Sequence, residues 1–308
     1  MPRDVALLVN PTANKGRAAA LADPVAGRLR ELGCTVKVLA GTDAADAGRL
    51  AAAEVAAGIE VLAVLGGDGM CHLGLQHVAG SDSLFGIIPG GTGNDLATSC
   101  GVPRDPMMAA ETIAIGYPRT IDLGRARPAG QTEGGTWWGT VLCAGFDSRV
   151  NERANMMRWP RGRFRYDLAT YAELAMLGPR AAQVSVDGEE WTGTVTQVDI
   201  GNGPAYGGGL RICPDADMSD GLLDVAVVGP VSRTQLTMLK PKLPTGGLAD
   251  HPRIRRSRGS AVTVSVEGAI AYADGERIGP LPLTIECVPG ALRVLSAAPA
   301  ARPEEVNP

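Results

Sequence analysis

VLAVLGGDGM, residues 61–70, is an apolar run of strand length that ends in Gly66-Gly67-Asp68-Gly69. An unbroken run of this kind fits a strand buried on both faces, as in a parallel sheet covered by helices. Glycines at its end let backbone N–H groups converge on a phosphate without Cβ obstruction, and a helix starting there adds the positive end of its dipole. Asp68 would then face a magnesium-bound phosphate. Alone, the segment also reads as a tight strand-to-helix turn with a capping aspartate.

The flanking sequence repeats the pattern. Val5 to Val9, Thr35 to Leu39 and Phe85 to Ile88 read as further strands, alternating with Ala-rich helical stretches at Arg17 to Leu32 and Ala44 to Ala57. This is the α/β arrangement of a sheet with helices on both faces. The strand at Ile87-Ile88 runs into a second glycine turn, Gly90-Gly91-Thr92-Gly93-Asn94-Asp95, and a helix opens near Asn94. Two such turns from one parallel sheet open on the carboxyl edge, where α/β sheets bind ligands. Thr92 offers a hydroxyl to a phosphate, while Asn94 and Asp95 can cap the helix or reach a metal. The first strand ends in VNPTANKG, which places Asn10 and Thr12 on the same edge, as a phosphate clamp or as an ordinary turn and cap. No G-x-x-x-x-G-K-[ST] loop occurs, and no dinucleotide G-x-G-x-x-G follows a strand.

Beyond Leu123 the texture changes. RARPAGQTEGGT (125–136) reads as a polar loop, and short strand-like runs follow at Thr140 to Cys143, Ala182 to Val186, Thr194 to Ile200, Leu223 to Val228, Ala261 to Val266 and Leu283 to Val288. Their spacing suits an antiparallel sandwich. The expected organisation is an α/β nucleotide-binding domain over 1–124, completed by a strand near 289–296, a β-sandwich over 125–288, and a frayed tail from 297 to 308.

A chain of 308 residues is long enough for two such domains. Aromatics make up only 4% of it, so the cores must be built from small aliphatic side chains. A net charge of −4 gives no general attraction to nucleic acid, and basic contacts must come from local patches. Two occur: NERANMMRWPRGRFRYDLATYAEL (151–174), where arginines interleave with Met, Trp and Phe, and HPRIRRSRG (251–259). The first suits a lipid headgroup interface or a buried helix with a basic rim; the second suits anionic lipid or a solvated loop. The six scattered cysteines, with no CxxC pair and no secretion signal, predict reduced thiols in a cytoplasmic protein. No stretch approaches the length of a transmembrane helix.

Two acidic turns complete the inventory. In PDADMSDG, Asp215, Asp217 and Asp220 crowd one loop, an arrangement relieved by a hard cation or by solvent. In YADGE, Asp274-Gly275-Glu276 reads as a hairpin tip, and Glu276 suits a base that takes a hydroxyl proton with Asp274 as helper.

Taken together, VNPTANKGRA, VLGGDGM, GIIPGGTGNDLA, CPDADMSDGLLDV and YADGE resemble, in that order and over nearly the whole chain, the diacylglycerol kinase catalytic family, which includes bacterial lipid kinases of the YegS type and the sphingosine kinases. YADGERIGPLP and VPGALRVL resemble the actinobacterial members most. The resemblance implies a phosphofructokinase- and NAD-kinase-like α/β domain followed by an antiparallel β-sandwich, with ATP between them. It implies ATP contacts from Asn10, Thr42, Gly66, Gly67, Asp68, Gly69, Met70, Cys71, His72 and Thr92, to which the glycine turns and the VNPTANKG segment add Thr12, Gly90, Gly91 and Asn94 as candidates. It further implies a structural Mg²⁺ at Asp220 with the carbonyls of Asp217 and Leu222, and Glu276 as proton acceptor; a catalytic Mg²⁺ at Asp68, with Asp95, is expected from magnesium's preference for few carboxylates and several waters. The family's usual GGDGT is here GGDGM, so Met70 can offer only its backbone, and His72 replaces an asparagine.

The expected activity is ATP- and Mg²⁺-dependent phosphorylation of a lipid's primary hydroxyl, with diacylglycerol giving phosphatidic acid, by a protein that visits the membrane surface transiently. A homodimer stays open. The alternatives are kinases of a sphingosine-like lipid, phosphatidylglycerol or NAD, or a nucleotide- or lipid-binding regulator without catalysis.

Overall fold

A computed structural model of the chain describes residues 2–9, 17–157, 159, 163–248 and 251–297, the side chains of 17–19, 163 and 240 excepted. The chain divides into two compact units, Met1–Ile121 with Ala291–Pro308, and Asp122–Gly290.

The first unit runs β1 (Asp4–Val9), α1 (Arg17–Glu31), β2 (Thr35–Ala40), α2 (Ala44–Ala56), β3 (Val61–Gly66), α3 (Asp68–Val78), β4 (Leu84–Pro89), α4 (Asp95–Ser99) and α5 (Pro106–Ile115). Its strands pair in the parallel order β2-β1-β3-β4, with Val9 opposite both Ala40 and Leu65 and Gly66 opposite Pro89. All residues of β3 and β4 are buried, as their continuous apolar runs require. Phe85 and Gly86 face opposite sides of β4: α3 lies on Phe85 through Gly74, and Ile113 of α5 lies on Gly86. On one side α5 is tied to α1 by Arg28 and Glu111 at 2.6 Å, and on the other α3 sets His77 against Gly48 of α2. The chain leaves β1 toward β2 but leaves β3 toward β4, so the strand order reverses between β1 and β3. A crevice for ligands opens at such a switch point.

The remaining elements are β5 (Tyr117–Pro128), β6 (Thr136–Trp138), β7 (Val141–Gly145), α6 (Phe146–Met156), α7 (Arg163–Ala175), β8 (Arg180–Val186), β9 (Glu189–Val195), β10 (Gln197–Gly201), β11 (Leu223–Val228), α8 (Arg233–Leu239), β12 (Ile254–Gly259), β13 (Ala261–Val266), β14 (Ile270–Ala273), β15 (Glu276–Pro280) and β16 (Leu283–Ser296). The end of β16 pairs in parallel with β4 in the first unit, through Val294 and Phe85. In the second unit one sheet has the order β12-β11-β10-β7-β14-β15 and is antiparallel throughout. The other places β16-β13-β8-β9 side by side, with β5 on β16 and β6 on β5. One core cluster joins their inner faces, built from Leu142, Val184, Val198, Val225, Val264 and Ile285 around the fully buried Trp138. Aliphatic burial of this kind contributes about 1.5–3 kcal/mol per large side chain.

Two local expectations are corrected. The run Thr194 to Ile200 is not one strand: it breaks at Thr196, with β9 in one sheet and β10 in the other. RARPAGQTEGGT is not all loop, because β5 continues to Pro128. Its arginines are held in the strand by partners: Arg125 lies 2.7 Å from Glu286 and over the Trp137 ring at 5.0 Å, and Arg127 also pairs with Glu286. Paired charges can occupy strand positions that unpaired ones avoid.

Candidate functional site

In the first unit the two glycine turns lie against each other at the carboxyl ends of β3 and β4. Gly90 N–H donates to Gly66 O at 2.7 Å, extending the ladder past the last strand residues. A Cβ on Gly91 would stand 2.5 Å from Gly67 Cα, so only glycine allows the two backbones this approach. Asn94 closes the second turn from within: its Oδ1 accepts from Gly91 N at 3.1 Å and its Nδ2 donates to Gly91 O at 3.0 Å. This bracing holds Asn94 in the left-handed region (φ 59°), which asparagine tolerates better than most residues.

Asp68, the first residue of α3, joins the turns. Its Oδ2 accepts from Asn94 N at 2.9 Å and its Oδ1 from Asp95 N at 2.7 Å, so one carboxylate binds two successive amides at the start of α4. Asp68 is thus the cap of the neighbouring short helix, a role open to a carboxylate at a helix N-terminus. A Cβ on Gly93 would lie 2.5 Å from Asp68 Oδ2 and 3.6 Å from Asp95 Oδ2. Two acidic oxygens therefore border a space that any other residue at 93 would fill, and this donor chemistry fits a hard divalent cation held by carboxylates and water. Thr92 is exposed at the tip of the same turn.

The other residues named for ATP divide three ways. Thr42 follows β2 on the same carboxyl edge, but both its N–H and its hydroxyl donate to Asp46 Oδ2, at 2.9 and 3.1 Å, at the start of α2. Gly69 is exposed, whereas Met70 and Cys71 turn inward, buried under the loop, and their amides donate to Gly67 O at 3.0 and 3.2 Å. Met70 packs on Gly66, where a Cβ would meet its Cγ at 2.5 Å, so the methionine of GGDGM is part of the core under the turn. His72 is half-buried on α3, and Asn10 and Thr12 lie outside the described residues.

In the second unit Asp274 and Gly275 form the two-residue tip between β14 and β15, both at positive φ (52° and 82°). This is the pattern of a type I′ hairpin turn. The Asp274 carboxylate accepts from Gly139 N at 2.7 Å, Thr140 N at 2.9 Å and the Thr140 hydroxyl at 2.5 Å. Glu276, the first residue of β15, is exposed beside it. Two residues that the sequence reading passed over extend this network. Fully buried Asn202 donates to Gly139 O at 2.8 Å and to Asp122 O at 2.9 Å. Asp122, on β5, accepts from Gly221 N at 2.7 Å and Gly290 N at 2.8 Å. The one available signal was an acid inside the apolar stretch IDLG, since a buried carboxylate must find partners.

Gly221 belongs to the acidic loop. There Asp217 accepts from the amide and hydroxyl of Ser219 at 3.0 and 2.6 Å, and Asp220 accepts from Leu222 N at 3.0 Å. The other Asp220 oxygen pairs with Arg258, which also lies 3.0 Å from Asp224. The crowded charge is met in part by a guanidinium from β12. Among the described residues no group of three or more His, Cys, Asp or Glu side chains is placed to hold a metal ion.

A second polar cluster that sequence reasoning missed is buried on the outer face of the six-stranded sheet. Gln197 Nε2 lies 2.6 Å from Asp199 Oδ1 and 3.0 Å from Asp147 Oδ2, and Tyr206 donates to Asp147. Burial first, and the Asp147 charge second, push the carboxyl of fully buried Asp199 well above its ordinary range, and its Oδ2 has no hydrogen-bond partner. None of the six cysteines forms a disulfide, and burial raises the Cys100 and Cys287 thiols to about 12, which keeps them protonated and unreactive. No helix among the described residues is long and apolar enough to cross a membrane.

Residues 4–126 match the model of the diacylglycerol kinase catalytic domain, and residues 140–296 match that of the YegS C-terminal NAD kinase beta sandwich-like domain. The chain is 45% identical over 293 residues, 94% of either protein, to a diacylglycerol kinase of Mycobacterium tuberculosis H37Rv. It is 30% identical over 278 residues to a probable lipid kinase YegS-like of Stenotrophomonas maltophilia, covering 87% of this chain and 89% of that one. A crystal structure of a diacylglycerol kinase from Bacillus anthracis superposes with a TM-score of 0.73 at 20% identity, covering 96% and 97% of the two chains. At that identity the likeness speaks for the fold alone.

Proposed function

Because the chain belongs to the diacylglycerol kinase family of lipid kinases, we propose that it transfers the γ-phosphoryl group of ATP to the primary hydroxyl of a membrane lipid, diacylglycerol giving phosphatidic acid. The observation that carries this reading is the junction of the two glycine turns, with Asp68 bound to the amides of Asn94 and Asp95 and both carboxylates bordering the gap at Gly93. The backbone there is held without freedom to relax, which suits a cradle for phosphates.

In the reaction the lipid oxygen forms a bond to the γ-phosphorus, the bond from that phosphorus to the β,γ-bridging oxygen breaks, and ADP leaves. Phosphoryl transfer of this kind needs alignment and charge neutralisation more than covalent help. Gly66, Gly67, Gly90, Gly91 and Thr92 are assigned to ATP, with Thr42 as a further contact along the same edge and Asn10 and Thr12 as contacts assigned from the sequence. Asp68 and Asp95 would hold Mg²⁺, which when bound supplies positive charge to the triphosphate. Glu276 is assigned to accept the hydroxyl proton, and Asp274 to set the turn that presents it.

The test is a kinase assay with labelled ATP and Mg²⁺ against diacylglycerol, sphingosine, phosphatidylglycerol and NAD. Diacylglycerol is expected to be phosphorylated fastest. Preference for another acceptor would reassign the substrate, and no transfer to any of them would replace the kinase reading with that of a binding protein.

A further inference from the structure

α7 is amphipathic in the wrong sense for a helix on a water-facing surface. Phe164, Leu168 and Tyr171 lie on one helical stripe at i, i+4 and i+7, and that stripe faces out: Phe164 is 75% and Tyr171 70% exposed. One of its charged residues, Glu173, faces in. Glu173 is buried against α6, where its two oxygens meet Arg153 at 2.5 Å and Arg149 at 3.3 Å. Met156 at the end of α6, Trp159 after it and Met176 just past α7 are each at least two-thirds exposed, and Arg153 touches the Met176 sulfur at 3.6 Å. Single exposed apolar residues are ordinary, but seven large ones around one helix pair, Tyr166 included, mark a surface that meets something.

We propose that this α6–α7 face docks on an anionic lipid bilayer, an inference that rests on the lipid-substrate reading above. Three observations select the bilayer. The sequence from Met156 to Tyr166 carries four arginines and no acid. Such charge is drawn to an anionic leaflet, whereas a symmetric contact with a second copy would set like charges against each other. The exposed types, Trp, Tyr, Phe and Met beside Arg, suit the headgroup boundary, where a ring or thioether is buried and the guanidinium stays with phosphate. Finally, a hydroxyl carried by a bilayer lipid must be reached from the surface by a chain with no membrane-spanning helix among its described residues.

The full-length protein is sedimented, without ATP, with phosphatidylcholine vesicles with and without phosphatidylserine. The comparison is with Phe164→Ser/Tyr171→Ser and with Ile115→Ser, which alters an exposed apolar residue of the first unit. Wild type and I115S are expected to bind the anionic vesicles in a salt-sensitive way, with the double variant weaker by about tenfold or more. All three should melt alike and phosphorylate a short-chain, water-dispersed diacylglycerol at the same rate. Undiminished vesicle binding by the double variant overturns the docking surface. So does a double variant that turns an oligomer into a monomer while vesicle binding is unchanged, which would assign the face to a second copy. Vesicle binding that depends on Phe164 and Tyr171, with no phosphorylation of any lipid, overturns the kinase reading and upholds the docking surface.

Discussion

Asp68 in the first unit and Asp274 in the second use one device in two settings. Each sits at a glycine turn, and each carboxylate accepts from two successive backbone amides of another segment: Asn94 and Asp95 for Asp68, Gly139 and Thr140 for Asp274. The settings differ in what stands beside the acid. Asp68 has Asp95 across the gap at Gly93 and grips the start of a helix. Asp274 holds the start of a strand region, with exposed Glu276 two residues on. An acid in a D-G motif is thus first a fastener of loops, and chemistry is to be sought in the groups it positions.

The largest expected effect separates fastener from reactant. Glu276→Gln should keep the wild-type melting temperature and lose about 10²–10⁴-fold in kcat, the range of a lost general base. A drop in stability with kcat retained would make Glu276 part of the turn instead. Next come Asp68→Asn and Asp274→Asn. Either amide can accept one of the two N–H groups but sets its own donor against the other, at a cost of about 1–3 kcal/mol. Urea midpoints should fall for both. The KM for ATP should rise for Asp68→Asn alone, because only that fastener shapes the glycine junction. A raised KM for ATP in both variants would end the distinction.

What could be read in the sequence follows from which signals are local. The strands β1 to β4 announce themselves as unbroken apolar runs, and the glycine turns follow them directly, so the α/β layer was legible. The buried acids were not. Asp122 finds its partners 80, 99 and 168 residues away, and no local pattern forecasts such meetings. Arg125 and Arg127 disguised the end of β5 as loop because Glu286, their partner, is distant in sequence. Met70 was read as able to offer only its backbone, and its packing on Gly66, which depends on the turn's three-dimensional form, was not foreseen. The α7 stripe, with aromatics outward and Glu173 inward, leaves a sequence pattern like that of any amphipathic helix, and only packing says which side is out.

A smaller effect concerns Asp199, a buried acid that unlike the two fasteners accepts from no backbone amide in the bonds described. Its carboxyl is raised, chiefly by burial, so the folded state keeps a proton that the unfolded chain releases near the ordinary value of 3.8. The folded state then binds more protons than the unfolded one, and linkage makes stability fall as pH climbs from there toward the raised folded value. Asp199→Asn cannot ionise and should lose this dependence. Melting temperatures across that window should show wild type slipping relative to the variant as pH rises; parallel curves would mean that Asp199 is ionised in the fold at little cost.

The smallest effect tests whether Arg258 or a metal neutralises the acidic loop. Arg258 is partly exposed, and surface pairs of this kind are worth about 0.2–1 kcal/mol, so Arg258→Ala should lower the melting temperature only slightly. The variant leaves Asp220 and Asp224 close together without their cation, and those oxygens suit a hard divalent ion. Added Mg²⁺ should therefore raise the melting temperature of Arg258→Ala by mass action and leave wild type much less affected. Equal stabilisation of both proteins would show that wild type already binds the ion here, and that Arg258 shares the loop with a metal instead of replacing it.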